Sequence, residues 1–356
     1  MMNNTLCSWF WVVFLFVGCS TGATSPTNIA TDTTNGRTDR PRVDVRVESD
    51  TQASKDTTRT PDTGDLSSSG GDIQNAPVKI EKDIAYVPPT GVQTELATLD
   101  LYRRDDGQVR PLALLVHGGS WVGGDKAGFA QKVAPWWVER GYVAAAVNFR
   151  LATKAGESPI VKPGDQAHDI AGALAWLLNH AEDYAISTTG VVVLGYSSGA
   201  HLVALLGTDE SYFQNEGVDE TSIAGVISLD VHAYDVPFAL QLMVGSVKEQ
   251  NIPIIEHLFG KTTEEQLASS PINFLDSWAA PALIVSVDTD PNEVGSYGYL
   301  VWETGQNYVS ALVEAGHQAK HVHDPTETHS SLVGGFGDPG DLVTSEVEAF
   351  LESLSP

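Results

Sequence analysis

Ser197 is flanked by glycines in Gly195-Tyr196-Ser197-Ser198-Gly199 and follows the apolar run Val191-Val192-Val193-Leu194. A serine hydroxyl attacks a carbonyl only when a base takes its proton and a nearby donor set takes the charge that develops on the carbonyl oxygen. The hydroxyl must also be exposed, and the spacing supplies that. Four consecutive apolar residues suit a central parallel strand, and glycines on both sides permit a tight strand-to-helix turn that lifts the hydroxyl above a sheet. A second apolar run, Leu112 to Val116, ends in His117-Gly118-Gly119. Backbone N–H groups of residues without side chains can approach an oxyanion unobstructed, so Gly118 and Gly119 are the candidate donors.

The elements needed to hold these groups can be read along the chain. Extended segments at Val78 to Val87 and Glu95 to Arg103 flank Pro88-Pro89-Thr90-Gly91 and predict a strand, a turn and a strand. Apolar runs at Leu112 to Val116, Tyr142 to Val147, Val191 to Leu194, Ile223 to Leu229 and Ala282 to Val287 predict buried strands, and Ala319 to His323 another. Helical spacing covers Phe129 to Arg140, Asp165 to Tyr184, Ser198 to Leu206, a stretch near Tyr308 to Ala315, and Asp341 to Leu354. Alternating strands and helices with short connections imply an α/β domain with a mostly parallel sheet and helices on both faces. The exception lies between two strands at 231–278, where Pro237, Pro253 and Pro271 divide an insertion into short helices. Insertions at strand carboxyl ends overhang active sites, so this one is expected to form a cap or pocket wall.

His117-Gly118-Gly119-Ser120-Trp121, Asn148-Phe149-Arg150-Leu151 and Gly195-Tyr196-Ser197-Ser198-Gly199-Ala200-His201-Leu202 together resemble the α/β-hydrolase superfamily, in its esterase and lipase branch. Hormone-sensitive-lipase-like, feruloyl-esterase-like and kynurenine-formamidase-like enzymes are the groups it resembles, from about Leu99 onward. The resemblance implies the α/β-hydrolase fold, a lid-like insertion, and a triad in the order serine, acid, histidine. It also implies that the backbone N–H of Ser198 completes an oxyanion hole with Gly118 and Gly119. Of the ten histidines, His329 follows the last strand and precedes the final helix, which is where the base belongs. His321 and His323 alternate along a strand and are expected to face one side of the sheet in a structural role. The acid is expected at the end of the Ala282 to Val287 strand, in Asp288-Thr289-Asp290-Pro291-Asn292-Glu293: Asp290 first, Asp288 as the alternative, Glu293 behind both. Trp121 is expected either to line the pocket or to pack. No metal or organic cofactor is required by this chemistry.

The chain ends bear on location. An apolar run from Trp9 to Val17 ends in Gly18-Cys19-Ser20 and is too short to span a bilayer. It resembles a bacterial lipoprotein signal over residues 1–19, with Cys19 the lipidated residue; an ordinary secretory peptide is the alternative. Residues 20–77 are rich in Thr, Ser and Asp and poor in large apolar residues, which predicts a disordered tether. The catalytic domain is expected over 78–356. Cys7 and Cys19 are the two cysteines, so that domain would contain no thiol. A net charge of −26 opposes nucleic acid and anionic lipid as partners, leaving the membrane to an N-terminal anchor. The expected function is a serine carboxylic ester hydrolase, exported and lipid-anchored, with a small-molecule ester as substrate. An amide or peptide hydrolase and an inactive hydrolase-fold binding lipoprotein are the alternatives.

Overall fold

A computed structural model describes residues 76–86, 96–153, 160–288 and 293–354, all within the unit Ser68–Pro356. The expected signal at 1–19, the lipidation site Cys19 and nearly all of the 20–77 tether lie outside the described residues.

Among the described residues, eight strands form one sheet: β1 (Val78–Ala85), β2 (Thr98–Arg104), β3 (Leu112–Val116), β4 (Val143–Val147), β5 (Val191–Tyr196), β6 (Ile223–Leu229), β7 (Ala282–Val287) and β8 (Ala319–Asp324). Their spatial order is β1-β2-β4-β3-β5-β6-β7-β8. The β1/β2 and β2/β4 pairs are antiparallel, and every pair from β4 to β8 is parallel. Eleven helices connect or extend the described strands: α1 (Lys126–Glu139), α2 (Pro163–Asn179), α3 (Ala181–Tyr184), α4 (Ser198–Leu206), α5 (Ser211–Asn215), α6 (Val236–Leu242), α7 (Gly245–Phe259), α8 (Thr263–Leu267), α9 (Tyr297–Glu314), α10 (Leu332–Gly335) and α11 (Leu342–Ser353).

Side chains alternate across a strand, and both faces of this sheet are covered, so the central strands are apolar without interruption. On β3, Leu112, Leu114 and Val116 join the core beneath α2, α4 and α9, built with Ile170, Leu174, Leu202 and Tyr308. Ala113 and Leu115 point the other way, to Phe129, Val133 and Trp137 of α1 and to Val343, Val347 and Phe350 of α11. The short run expected to be helical near Tyr308 to Ala315 is the second half of α9, which begins eleven residues earlier at Tyr297. Its first turns carry Gly298, Thr304 and Gly305 in place of a clean apolar stripe, and a serine starts them: Ser296 Oγ accepts from the Tyr299 N–H at 3.0 Å.

The topology puts the carboxyl ends of the parallel strands along one edge. His117 follows β3, Ser197 follows β5, Asp230 follows β6 and Asp288 follows β7. The 231–278 insertion leaves from the same edge as α6, α7, α8 and a 3₁₀ turn at Pro271–Phe274.

Candidate active site

Ser197 caps β5 with φ 55° and ψ −126°, conformational strain held by the sheet below and α4 behind. The flanking glycines are required by close approach. A Cβ on Gly195 would lie 2.2 Å from the Gly199 carbonyl oxygen, and one on Gly199 would lie 2.4 Å from the Val116 oxygen. Any side chain at either place would open the turn.

His329 meets this serine. Its Nε2 lies 3.1 Å from Ser197 Oγ, and its Nδ1 lies 2.5 Å from Asp230 Oδ2. In the tautomer that lets Nε2 accept the serine proton, Nδ1 donates to the carboxylate. Asp230 is fully buried, sits at φ 61°, and its second oxygen accepts from the Val287 N–H at 2.9 Å. Both oxygens are therefore occupied, which fixes the carboxylate against rotation. The imidazole ring stacks on Tyr196 at 5.0 Å and meets the edge of Tyr297 at 5.5 Å. The Tyr196 hydroxyl donates to the His329 carbonyl oxygen, clamping its backbone. Burial and the Asp230 charge hold that phenol well above its ordinary range, so it stays a neutral donor.

The carboxylate in this chain corrects the expectation from the strand-end pattern. The carboxylate that meets His329 follows β6, immediately beside the strand that ends at Ser197, whereas the expected Asp290 and Asp288 follow β7, one strand further out. The chain order serine, acid, histidine is the same for Asp230 as for Asp290, so order alone could not separate them. Asp290 lies in 289–292, outside the described residues. Asp288 leaves β7 at φ 109°, its N–H donating to the Glu327 oxygen at 3.0 Å and its side chain set against Gly298 of α9. Glu293 is exposed. A signal for Asp230 does exist in the sequence: one acid ends the buried apolar run Ile223 to Leu229, which is the next strand in chain order after the one that ends at Ser197.

The remaining residues divide between the site and the scaffold. A Cβ on Gly118 would lie 2.8 Å from Ser197 Cβ, so this turn abuts the serine, and Ser198 opens α4, where first-turn N–H groups have no intrahelical partner. His117 is buried, stacks on Phe149 at 4.5 Å, and has Nδ1 2.8 Å from the Gly118 oxygen. Burial lowers its pKa. His321 and His323 share the Ser286 hydroxyl at 2.9 and 3.0 Å on the β7–β8 face, away from Ser197. Trp121 is buried and bonded to His201 rather than lining open space alone. Among the described residues no group of three His, Cys, Asp or Glu could hold a metal ion, and no helix is long and apolar enough to cross a membrane.

An elbow serine, an imidazole and a buried carboxylate at the carboxyl edge of this sheet order define an α/β-hydrolase. The chain belongs to the BD-FAE family, whose model matches residues 99–294. It is 27% identical over 220 residues to Esterase LipQ of Mycobacterium tuberculosis, covering 59% of this chain and 48% of that protein. It is 25% identical over 197 residues to the probable carboxylic ester hydrolase LipM of the same organism, covering 52% and 43%. The chain thus spans about half the length of these curated relatives. Among solved structures, Esterase B of Lactobacillus rhamnosis superposes with a TM-score of 0.62 at 18% identity, covering 78% of this chain and 86% of that one. That esterase has also been solved inhibited by a tributyrin phosphonate.

Proposed function

We propose that this protein is a serine carboxylic ester hydrolase that works through an acyl-enzyme. The observation that carries the reading is the continuous chain Ser197 Oγ, His329 Nε2, His329 Nδ1, Asp230 Oδ2 at hydrogen-bond distances. His329 takes the Ser197 proton as Oγ attacks the ester carbonyl, and the Gly118, Gly119 and Ser198 N–H groups hold the tetrahedral oxyanion. Collapse expels the alcohol, protonated by His329. A water then loses its proton to His329 as it attacks the acyl-serine ester, and collapse of this second tetrahedral intermediate releases the acid while His329 returns the proton to Ser197 Oγ. Asp230 keeps the imidazole in the useful tautomer and stabilises its cation throughout. The relatives named as esterases support ester over amide chemistry.

Purified protein assayed on p-nitrophenyl esters tests this. Hydrolysis and fluorophosphonate labelling are expected, and both are expected to vanish in Ser197→Ala. Turnover that survives the substitution would reject Ser197. Labelling with turnover of N-formyl amides or peptides but not esters would favour an amide hydrolase, and absence of labelling and turnover alike would favour a binding protein.

We propose in addition that the chain is exported and anchored through Cys19, on the strength of the apolar run and the Gly18-Cys19 pair. Radiolabelled palmitate should enter the wild type and not Cys19→Ala. Equal incorporation in both would refute lipidation there.

A further inference from the structure

Residues 119–121 carry φ values of 137°, 52° and 64°, and two of the three are not glycine. Two consecutive L residues in the left-handed region persist only where surrounding groups over-determine them. The Trp121 carbonyl accepts from the Ala152 N–H at 2.8 Å and from Gln166 Nε2 at 2.7 Å. The side chain is held separately: Trp121 Nε1 donates to His201 Nδ1 at 3.2 Å, with the indole edge-on to the His201 ring at 5.6 Å and to Phe259 at 5.2 Å.

His201 lies on α4, one turn from the nucleophile, and is completely buried. Its Nε2 lies 2.7 Å from the carbonyl oxygen of Ser269, in the 231–278 insertion. The partners dictate the protonation state. An indole N–H can only donate, so Nδ1 presents its lone pair. A carbonyl can only accept, so Nε2 carries the proton. A doubly protonated ring would set one N–H against another. Burial agrees, lowering the pKa of His201 to about 4 against the opposing Ser269 bond. A leucine would fill this apolar position, but it could not bond in two directions.

We infer that His201 is a positioning residue for the oxyanion hole: a neutral, two-sided link that holds the Trp121 indole, fixes the strained 119–121 backbone beside Ser197, and fastens both to the base of the insertion at Ser269. The inference rests on the hydrolase reading above. It gives the insertion a role in the geometry of the transition-state site. The bonds made by Trp121 and His201 are remote from the proton path through His329, so their loss should weaken oxyanion stabilisation while leaving substrate binding in place.

The test uses the full chain and three variants, His201→Leu, His201→Gln and Trp121→Phe, the last keeping an aromatic ring but removing its N–H. For each, kcat and KM on a p-nitrophenyl ester are measured with the Ki of an alkyl trifluoromethyl ketone, whose adduct with serine places an oxyanion in the hole, and the Ki of the carboxylate product. His201→Leu should lower kcat about thirtyfold, less than outright removal of a hole donor, with KM changed by no more than about threefold. Trp121→Phe should lower it about tenfold, the effect of one lost hydrogen bond. The ketone should weaken by matching factors, the product should bind as before, and His201→Gln, able to accept and donate, should recover part of the loss. Should His201→Leu fail to fold, Trp121→Phe carries the test. A folded variant set with wild-type kcat and ketone affinity, or one in which KM alone rises, would overturn the inference. A wild type that neither reacts with fluorophosphonate nor hydrolyses ester would instead remove the hydrolase reading itself, and this inference with it.

Discussion

The backbone N–H of Ser197 donates to the carbonyl oxygen of Leu229 at 2.9 Å. Leu229 precedes Asp230, so Ser197 and the Asp230 carboxylate are joined through a single bond between the ends of adjacent strands. Tyr196 and Leu229 are register partners in the β5–β6 pair, and the ladder fixes the separation of the two groups before His329 arrives. The histidine is contributed by the loop after β8, three strands from β5 in the sheet. Its place depends on Tyr196, Tyr297 and Asp230 instead of on the ladder.

Asp230→Asn leaves an acceptor for the Val287 N–H, so the fold should survive. The amide cannot stabilise an imidazolium and favours the tautomer whose Nε2 carries a proton, which blocks acceptance from Ser197. A fall in kcat of about 10³- to 10⁴-fold is expected, by analogy with the same change in a serine protease triad. Asp290→Asn and Asp288→Asn, assayed alongside, should stay within about tenfold of wild type, the ceiling for one lost neutral hydrogen bond. The reverse ranking would return the acid to the end of β7.

Tyr196→Phe keeps the stack on His329 and loses the bond to its carbonyl. One such bond contributes about 1 kcal/mol net, which corresponds to roughly a fivefold fall in kcat if it acts through the placement of the imidazole. Steady-state kinetics with thermal melts would check this. A variant that loses stability but retains full kcat would show that the clamp serves folding alone.

Arg150 reaches the fully buried Asp169 of α2, with Nη2 at 2.6 Å and Nε at 2.8 Å from the carboxylate oxygens, while the Arg150 N–H donates to the same group at 2.9 Å. This pair holds the segment after β4, whose Arg150 carbonyl accepts from Gln166 at 2.9 Å. Asp169→Ala would strand a guanidinium beside the core, and a loss on the order of 3 kcal/mol in unfolding free energy is expected. Urea titration measures it; a change below about 1 kcal/mol, within the range of exposed pairs, would contradict the structural reading.

Strand identities were legible because both faces of the sheet are covered, which leaves long apolar runs such as Leu112 to Val116 without polar interruption. Ser197 and His329 were legible because a turn motif and a position after the last strand mark them. Asp230 was harder to read. A lone acid after a strand has the same local appearance whether it follows β6 or β7, and the Asp288 to Glu293 segment offers more acids to choose from. His201 was hidden for a different reason: its partners, Trp121 and Ser269, are 80 and 68 residues away, and no local pattern encodes a bond of that range. The extent of α9 was missed because its early turns pack Gly298 against Asp288 and Gly305 against His321 instead of showing an apolar period.

Three histidines give stability a pH dependence whose sign can be worked out. Burial lowers His201 to about 4, burial followed by the His201 and His329 charges lowers His232 to about 4, and burial followed by the His323 charge lowers His321 to about 4. In the unfolded chain a histidine titrates near about 6.5, so between these values the unfolded state binds three protons that the folded state refuses. Stability from these groups is complete above about pH 6.5 and declines as pH falls toward 4, with a limiting slope on the order of 4 kcal/mol per pH unit for three protons. Urea unfolding followed at several values between pH 7 and pH 4.5 should show this decline, and His232→Gln should reduce the slope by about one proton. The Nδ1 of His232 is buried without a hydrogen-bond partner, so protonating it would add a second uncompensated cost to desolvation of the charge. An unfolding free energy that stays level from pH 7 to pH 5, or a slope untouched by His232→Gln, would mean that these rings find protonated partners in the folded state.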